Sequence, residues 1–267
     1  MISEGISICS DLSKNDSHPK LKIQTPVEVM MDKKEIREWM WDKLEKEGIS
    51  RFPGARGRIP NFVGAEKASR RLEKLSAWKK AEVVKINPDS PQKEARYMAL
   101  SSGKILIMPT PRLREGFLIL EPDKIRPEVY REASSIRGAF RYGRKIPIDA
   151  IPEVDVVIIG SVCVDHRGNR IGKGGGYAEL EYSILLETGG LDESTPVITT
   201  IHDVQFVDFE IPRDEFDLGI DIVVTPTRTV RIDNPTKPKG IVWEKLPREK
   251  MEEIPVLMEL FSRRRNK

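Results

Sequence analysis

The stretch Asp155-Val156-Val157-Ile158-Ile159-Gly160, a polar turn, and Arg170-Ile171-Gly172-Lys173-Gly174-Gly175-Gly176-Tyr177 leads into an apolar-periodic run from Ala178 to Glu187. It reads as a buried strand, a glycine-rich turn and a helix. Glycines let successive main-chain N–H groups curl toward one point, with no Cβ in the way of an anion. The helix that follows aims its positive end at the same place. Arg170 and Lys173 add charge-assisted donors, so Arg170, Gly172, Lys173, Gly174, Gly175 and Gly176 are the candidate phosphate-binding residues. No Gly-Lys-Ser/Thr closes the loop as in a Walker A motif, and the dinucleotide fingerprint has a different register.

Outward from this stretch, the texture repeats. Ala81–Ile86, Lys104–Met108, Phe117–Leu120, Pro196–Ile201 and Ile220–Val224 are short, apolar, β-branched runs bounded by turn residues. Helical spacing is expected over Met31–Glu47, Gly64–Trp78, Lys93–Ser101 and Pro247–Phe261. Strands alternating with helices predict an α/β domain, a largely parallel sheet with helices on both faces. The organisation expected is one α/β domain over residues 30–243, a loose extension over 1–29, and a C-terminal helix with a basic tail over 244–267.

Charge narrows the class of function. Lys and Arg number 45 against 42 Asp and Glu, a net of +3, so global charge gives little reason to expect non-specific nucleic-acid binding. The two cysteines, Cys9 and Cys163, lie far apart without metal-ligand spacing, which favours a reducing cytoplasm. No apolar run reaches a membrane span's length. Met1–Ser10 carries Glu4 and no long apolar stretch, which reads against a secretory leader.

Several residues remain open on their own pattern. Lys33 and Arg37 sit one turn apart and read either as a solvated helix face or as ligand contacts. Arg112 and Arg114 follow a strand end after Pro111, a position for a substrate-facing loop. His202 and Asp203 point to opposite sides of an extended chain, so a catalytic dyad is disfavoured; Gln205 is the better substrate contact there. Arg51, Arg56 and Arg58 lie on a Gly/Pro loop that either closes over a ligand or merely solvates. Cys163 reads as a small buried side chain, and Arg263-Arg264-Arg265 as a solvated tail.

Asn169 to Tyr177 resembles the Arg-Leu/Ile-Gly-x-Gly-x-Gly-Tyr-Tyr-Asp signature of 5-formyltetrahydrofolate cyclo-ligases. Pro212–Thr225 is similar to that family's downstream stretch, with Asp217, Asp221 and Thr225 in register and Phe216 where His is usual. Val84–Asp89, Met108–Arg114, Gly176–Tyr182 and Val223–Arg228 resemble the branch called methenyltetrahydrofolate synthetase domain-containing proteins. Some of those relatives carry a following RNA-recognition domain, which is not expected within the residues up to Lys267.

The resemblance implies a NagB/RpiA/CoA transferase-like α/β fold, ATP in the glycine loop, and Mg²⁺ nearby. It implies conversion of 5-formyltetrahydrofolate, or a related formyl-pterin, to 5,10-methenyltetrahydrofolate. Arg170 and Lys173 then become catalytic, and Lys33, Arg37 and Tyr177 join the glycines as nucleotide contacts. Glu179 and Asp221 would serve the metal, and Asp89, Arg112 and Gln205 the substrate. Two departures matter: Tyr177-Ala178-Glu179 replaces Tyr-Tyr-Asp, and Asp89-Ser90-Pro91-Gln92 keeps only the acidic first position of the folate-side Glu-x-Asp-Thr. The alternatives are a different, thiamine-related substrate on the same ATP site, or a non-catalytic module binding RNA or protein. A monomer or homodimer is expected.

Overall fold

The computed structural model describes residues 31–265; the expectation for residues 1–29 lies outside them. In chain order the helices are α1 (Lys33–Lys46), α2 (Ala65–Arg70), α3 (Ser76–Lys80), α4 (Lys93–Ser101), α5 (Tyr130–Ala133), α6 (Ile136–Tyr142), α7 (Tyr177–Glu187), α8 (Arg248–Glu253) and α9 (Pro255–Arg265). The strands are β1 (Val83–Ile86), β2 (Ile105–Pro109), β3 (Phe117–Leu120), β4 (Arg144–Ile146), β5 (Val156–Ile159), β6 (Cys163–Asp165), β7 (Arg170–Ile171), β8 (Val197–Thr200), β9 (Phe206–Val207), β10 (Ile222–Val224) and β11 (Thr229–Arg231).

Eight strands form one sheet in the order β11-β10-β8-β5-β1-β2-β3-β4. Strands β10, β8, β5, β1 and β2 run parallel, and antiparallel pairing begins at β11 on one side and β3 on the other. The largely parallel α/β architecture is thus the one the sequence predicts. Both faces are covered, so the strands carry continuous apolar runs rather than alternation. On one face Val84, Ile86, Leu106 and Ile158 pack against Leu72, Trp78, Ala95 and Ala99. On the other, Val83, Ile107, Val157 and Val223 meet Tyr182, Ile184 and Leu185 of α7 and Leu257 and Leu260 of α9.

A second sheet, β7-β6-β9, has no counterpart in the sequence-based expectation. Its strands are two or three residues long, too short to leave a periodic signal. Helix α1 packs on it through Ile36, Met40 and Leu44, which meet Cys163, Ile171 and Val207. Asp32 caps α1 by accepting from the N–H groups of Lys34 and Glu35, while Glu35 accepts from the Asp32 N–H, a reciprocal capping box.

Two expected helices are broken. Gly64–Trp78 divides into α2, a 3₁₀ turn over Arg71–Lys74, and α3, with Leu75 extended between them. The buried residues Leu72, Leu75 and Trp78 recur every three positions, a spacing that 3₁₀ geometry serves better than 3.6. Pro247–Phe261 divides at Ile254, because Pro255 drives the preceding residue out of helical backbone. The expected C-terminal helix is present, and its basic end continues α9: Ile254, Leu257 and Leu260 are buried, while exposed Arg263 makes two bonds to Asp149, each 2.7 Å. No helix among the described residues is long and apolar enough to cross a membrane.

Candidate anion site at the glycine-rich loop

Chain order reverses at the centre of the sheet. Strand β1 leads to β2 on one side, while β5 and β8 lie on the other. A crevice opens outside the carboxyl ends of strands at such a switch point. The turn after β5 begins at Gly160, the turn after β1 carries Asn87 and Asp89, and the glycine loop closes over both before α7.

The loop's conformation requires its glycines at two places, Gly174 and Gly176, whose φ angles are +93° and +67°. A Cβ on Gly174 would lie 3.2 Å from the Arg37 guanidinium carbon. That guanidinium donates from Nε to the Gly172 carbonyl at 2.8 Å. Among the described residues, the main-chain N–H groups of residues 173–179 meet no protein acceptor. They belong to the turn before α7 and to its first helical residues, where an anion would be favoured.

Three cations frame this end. Arg170 is buried; it donates to the Gly160 carbonyl at 2.8 Å and pairs with Glu179. Lys173 is half exposed and stands 3.6 Å from Asp89. Arg37 lies beneath Gly174. Behind the loop, the Lys85 ammonium is fully buried between Asn87 Oδ1 and Glu181 Oε2, each 2.5 Å away. Burial pushes the Glu181 carboxyl above the ordinary carboxylate range, and the Lys85 charge opposes that shift.

The matching family model is described as the 5-formyltetrahydrofolate cyclo-ligase family, and it covers residues 29–226. The chain belongs to this family. It is 41% identical over 236 residues to a methenyltetrahydrofolate synthase domain-containing protein of Bos taurus, covering 86% of this chain and 62% of that protein. The Mus musculus relative of the same description is 40% identical over 238 residues, 87% of this chain and 64% of its own. The chain therefore spans less than two thirds of the length of these curated relatives. A solved structure, the 5,10-methenyltetrahydrofolate synthetase of Aquifex aeolicus, is 22% identical with a TM-score of 0.49, covering 76% of this chain and 94% of that one.

Of the residues singled out by pattern or family resemblance, the fold brings Arg37, Asp89, Arg170, Gly172, Lys173, Gly174, Gly175, Gly176, Tyr177 and Glu179 together. Lys33 is one helical turn from Arg37, but it is held by Asp217 and, at 2.6 Å, by Asp214. Its ammonium also faces the Phe216 ring. Arg112 is exposed, left-handed at φ 58°, and 3.6 Å from Glu253. Buried Leu113 shares the left-handed backbone, at φ 56°; its burial holds a conformation that bulky residues avoid.

Two assignments are corrected. Asp221 precedes β10 at the amino end of the parallel strands, the edge opposite the glycine loop. There it accepts from the Val197 N–H at 2.7 Å and pairs with Lys237 at 2.7 Å, so it cannot share a metal with Glu179. Gln205 is fully buried. Its amide donates to the Ser161 and Val162 carbonyls at 3.1 and 2.9 Å and accepts from the His202 N–H. Those bonds stitch one turn to another and leave no donor for substrate.

His202 Nδ1 accepts from the Val204 N–H, and Asp203 accepts from Thr225 and Thr227; they form no dyad. Burial lowers the His202 pKa and raises that of the Cys163 thiol, which leaves neither as a ready ion.

The sequence reading missed four charged residues. Lys85 and Glu181 had a signal, since a lysine inside a strand buried on both faces demands a buried partner. Lys250 and Glu253 had none, because only the return of the C-terminal segment brings them to the loop. Lys250 Nζ donates to the Gly175 carbonyl at 2.5 Å and lies 3.3 Å from the Tyr177 ring centroid. The Tyr177 hydroxyl donates to Glu253 Oε2 at 2.9 Å.

Proposed function

We propose that the glycine loop binds the phosphates of ATP and that the domain carries out the cyclo-ligase reaction of its family on 5-formyltetrahydrofolate or a related formyl-pterin. The observation behind this reading is the run of N–H groups from 173 to 179 without protein acceptors, framed by Arg37, Arg170 and Lys173 at the switch point. Phosphoryl chemistry asks for positioning and charge neutralisation more than for a strong base, and the site supplies both. Lys173, half exposed and loosely paired with Asp89, is the cation free to turn onto a transferring phosphoryl group. Buried Arg170 and underlying Arg37 act by fixing the loop.

Mg²⁺ usually takes one or two carboxylates together with substrate phosphates. No cluster of three or more metal-ligating side chains exists among the described residues, so a phosphate-dependent site fits better than a closed protein cage. Glu179, at the first turn of α7, would contribute a carboxylate oxygen, and the ion would neutralise phosphate charge. Asp89, in the turn after β1 and 3.6 Å from Lys173, would make a polar contact to the pterin. A reducing, cytoplasmic setting accords with the buried free thiol of Cys163.

The test is calorimetric titration with Mg·ATP, with and without 5-formyltetrahydrofolate, followed by the absorbance of the methenyl product. We expect ATP binding that folate strengthens and that Lys173→Ala weakens. ATP binding without turnover of the folate would sink the substrate assignment, and absence of nucleotide binding would sink the site.

A further inference from the structure

We propose that Lys250 and Glu253, on a helix outside the family-matched residues 29–226, are positioning residues that hold the glycine loop in its anion-receiving form. The proposal rests on the reading of that loop as a phosphate site.

The reasoning begins with one peptide plane. In a planar trans peptide the C=O of one residue and the N–H of the next point in opposite directions. The Lys250 ammonium grips the Gly175 carbonyl at 2.5 Å, and so turns the Gly176 N–H the other way. At the other end of the loop, Arg37 grips the Gly172 carbonyl at 2.8 Å and fixes the Lys173 N–H in the same manner. Two cations thus bracket the loop from behind. Neither grip consumes an N–H group, and the N–H groups between them, 173 to 176, are among those with no protein acceptor.

Such a restraint matters because four of the five residues from 172 to 176 are glycine, the residue with the most conformations to lose. An anion that must order this segment loses affinity to the ordering, while a loop already held does not. Lys250 and Glu253 stand three apart on one face of α8. Lys250 covers the Tyr177 ring, while Glu253 accepts from its hydroxyl and stands 3.4 Å from Arg114 and 3.6 Å from Arg112. The pair therefore ties together the glycine loop, the start of α7 and the loop after β2. Helix α8 has no fully buried side chain; Met251 packs partly buried against the core, while Lys250 and Glu253 meet the loop and Tyr177 through polar and cation–π contacts. Its anchor is α9, whose Leu257 and Leu260 are in the core.

The experiment uses the full chain with Lys250→Met, Lys250→Arg and Glu253→Gln. Three quantities are followed: thermal midpoint, amide exchange of residues 173–179 without ligand, and Mg·ATP affinity. In Lys250→Met we expect the midpoint to hold, exchange in this segment to accelerate about tenfold, and ATP affinity to fall about tenfold, equivalent to ~1.4 kcal/mol. Lys250→Arg should restore much of both, since a guanidinium can donate to the same carbonyl and stack on the same ring. Glu253→Gln, which keeps an acceptor for Tyr177, should show a smaller change in the same direction.

Exchange and affinity of Lys250→Met equal to wild type overturn the proposal, and so does exchange that accelerates across the whole domain. ATP binding that Lys173→Ala weakens and Lys250→Met does not would overturn the positioning role while the phosphate site stands. A wild type that binds no ATP overturns the phosphate reading, and with it this one.

Discussion

Arg170 and Lys173 are three residues apart, and their surroundings divide their work. Arg170 keeps its charge inside the protein, against Glu179 and the Gly160 carbonyl. Removing one partner of a buried pair strands the other, at a cost of about 3–5 kcal/mol, so Arg170→Ala should lower the urea midpoint sharply. Lys173 is half exposed and its distance to Asp89 is long; its replacement by Ala should change stability by less than ~0.5 kcal/mol. The same change should weaken Mg·ATP about tenfold in a calorimetric titration, the loss of one charge-assisted contact. Lys85 and Glu181 follow the buried-pair rule. Lys85→Met alone should cost about 3–5 kcal/mol in urea unfolding, and the double change Lys85→Met/Glu181→Leu should recover most of it.

At the scale of elements, the docking of α8 carries a pH dependence. The Tyr177 hydroxyl bond, followed by Arg114 and Arg112, holds the Glu253 carboxyl below its ordinary value of 4.5. A depressed carboxylate contributes stability above the ordinary pKa, and that contribution is lost as pH falls through the lower folded-state value, because the undocked form binds more protons there. Amide exchange of residues 248–253, corrected for intrinsic rates, should therefore rise relative to α9 as the solution is acidified below 4.5. Glu253→Gln should flatten that dependence. The groups facing Glu253 are Tyr177, Arg112, Arg114 and, more distantly, Lys250, so no other carboxylate has to be invoked.

For the whole molecule, the C-terminal segment is part of the domain. Ile254, Val256, Leu257 and Leu260 pack into the core that lies beneath α7. Burying such a side chain is worth about 1.5–3 kcal/mol, so the four together rival the ~5–15 kcal/mol total stability of a domain. A chain ending at Leu246 should lose cooperative thermal unfolding, seen by calorimetry or circular dichroism. A cooperative transition at the wild-type midpoint would show that the segment is dispensable to the fold.

The alternation of short β-branched runs with amphipathic stretches was enough to specify a parallel sheet covered on both faces, because buried strands and their crossover helices write their burial into local composition. Gly172 to Gly176 specified a tight turn with left-handed backbone at Gly174 and Gly176 for a similar reason: positive φ and an unobstructed backbone are local demands that only glycine meets cheaply. Tertiary structure decided what depends on long-range return of the chain. It placed Asp221 at the wrong edge for the glycine loop, closed Gln205 into a turn, and neutralised Lys33 with Asp214 and Asp217. It also brought Lys250 and Glu253 back to Gly175 and Tyr177 from more than seventy residues away. A residue's type and spacing record which face it occupies; which end of the sheet it reaches, and which charge it meets there, is fixed only when the strands are in register.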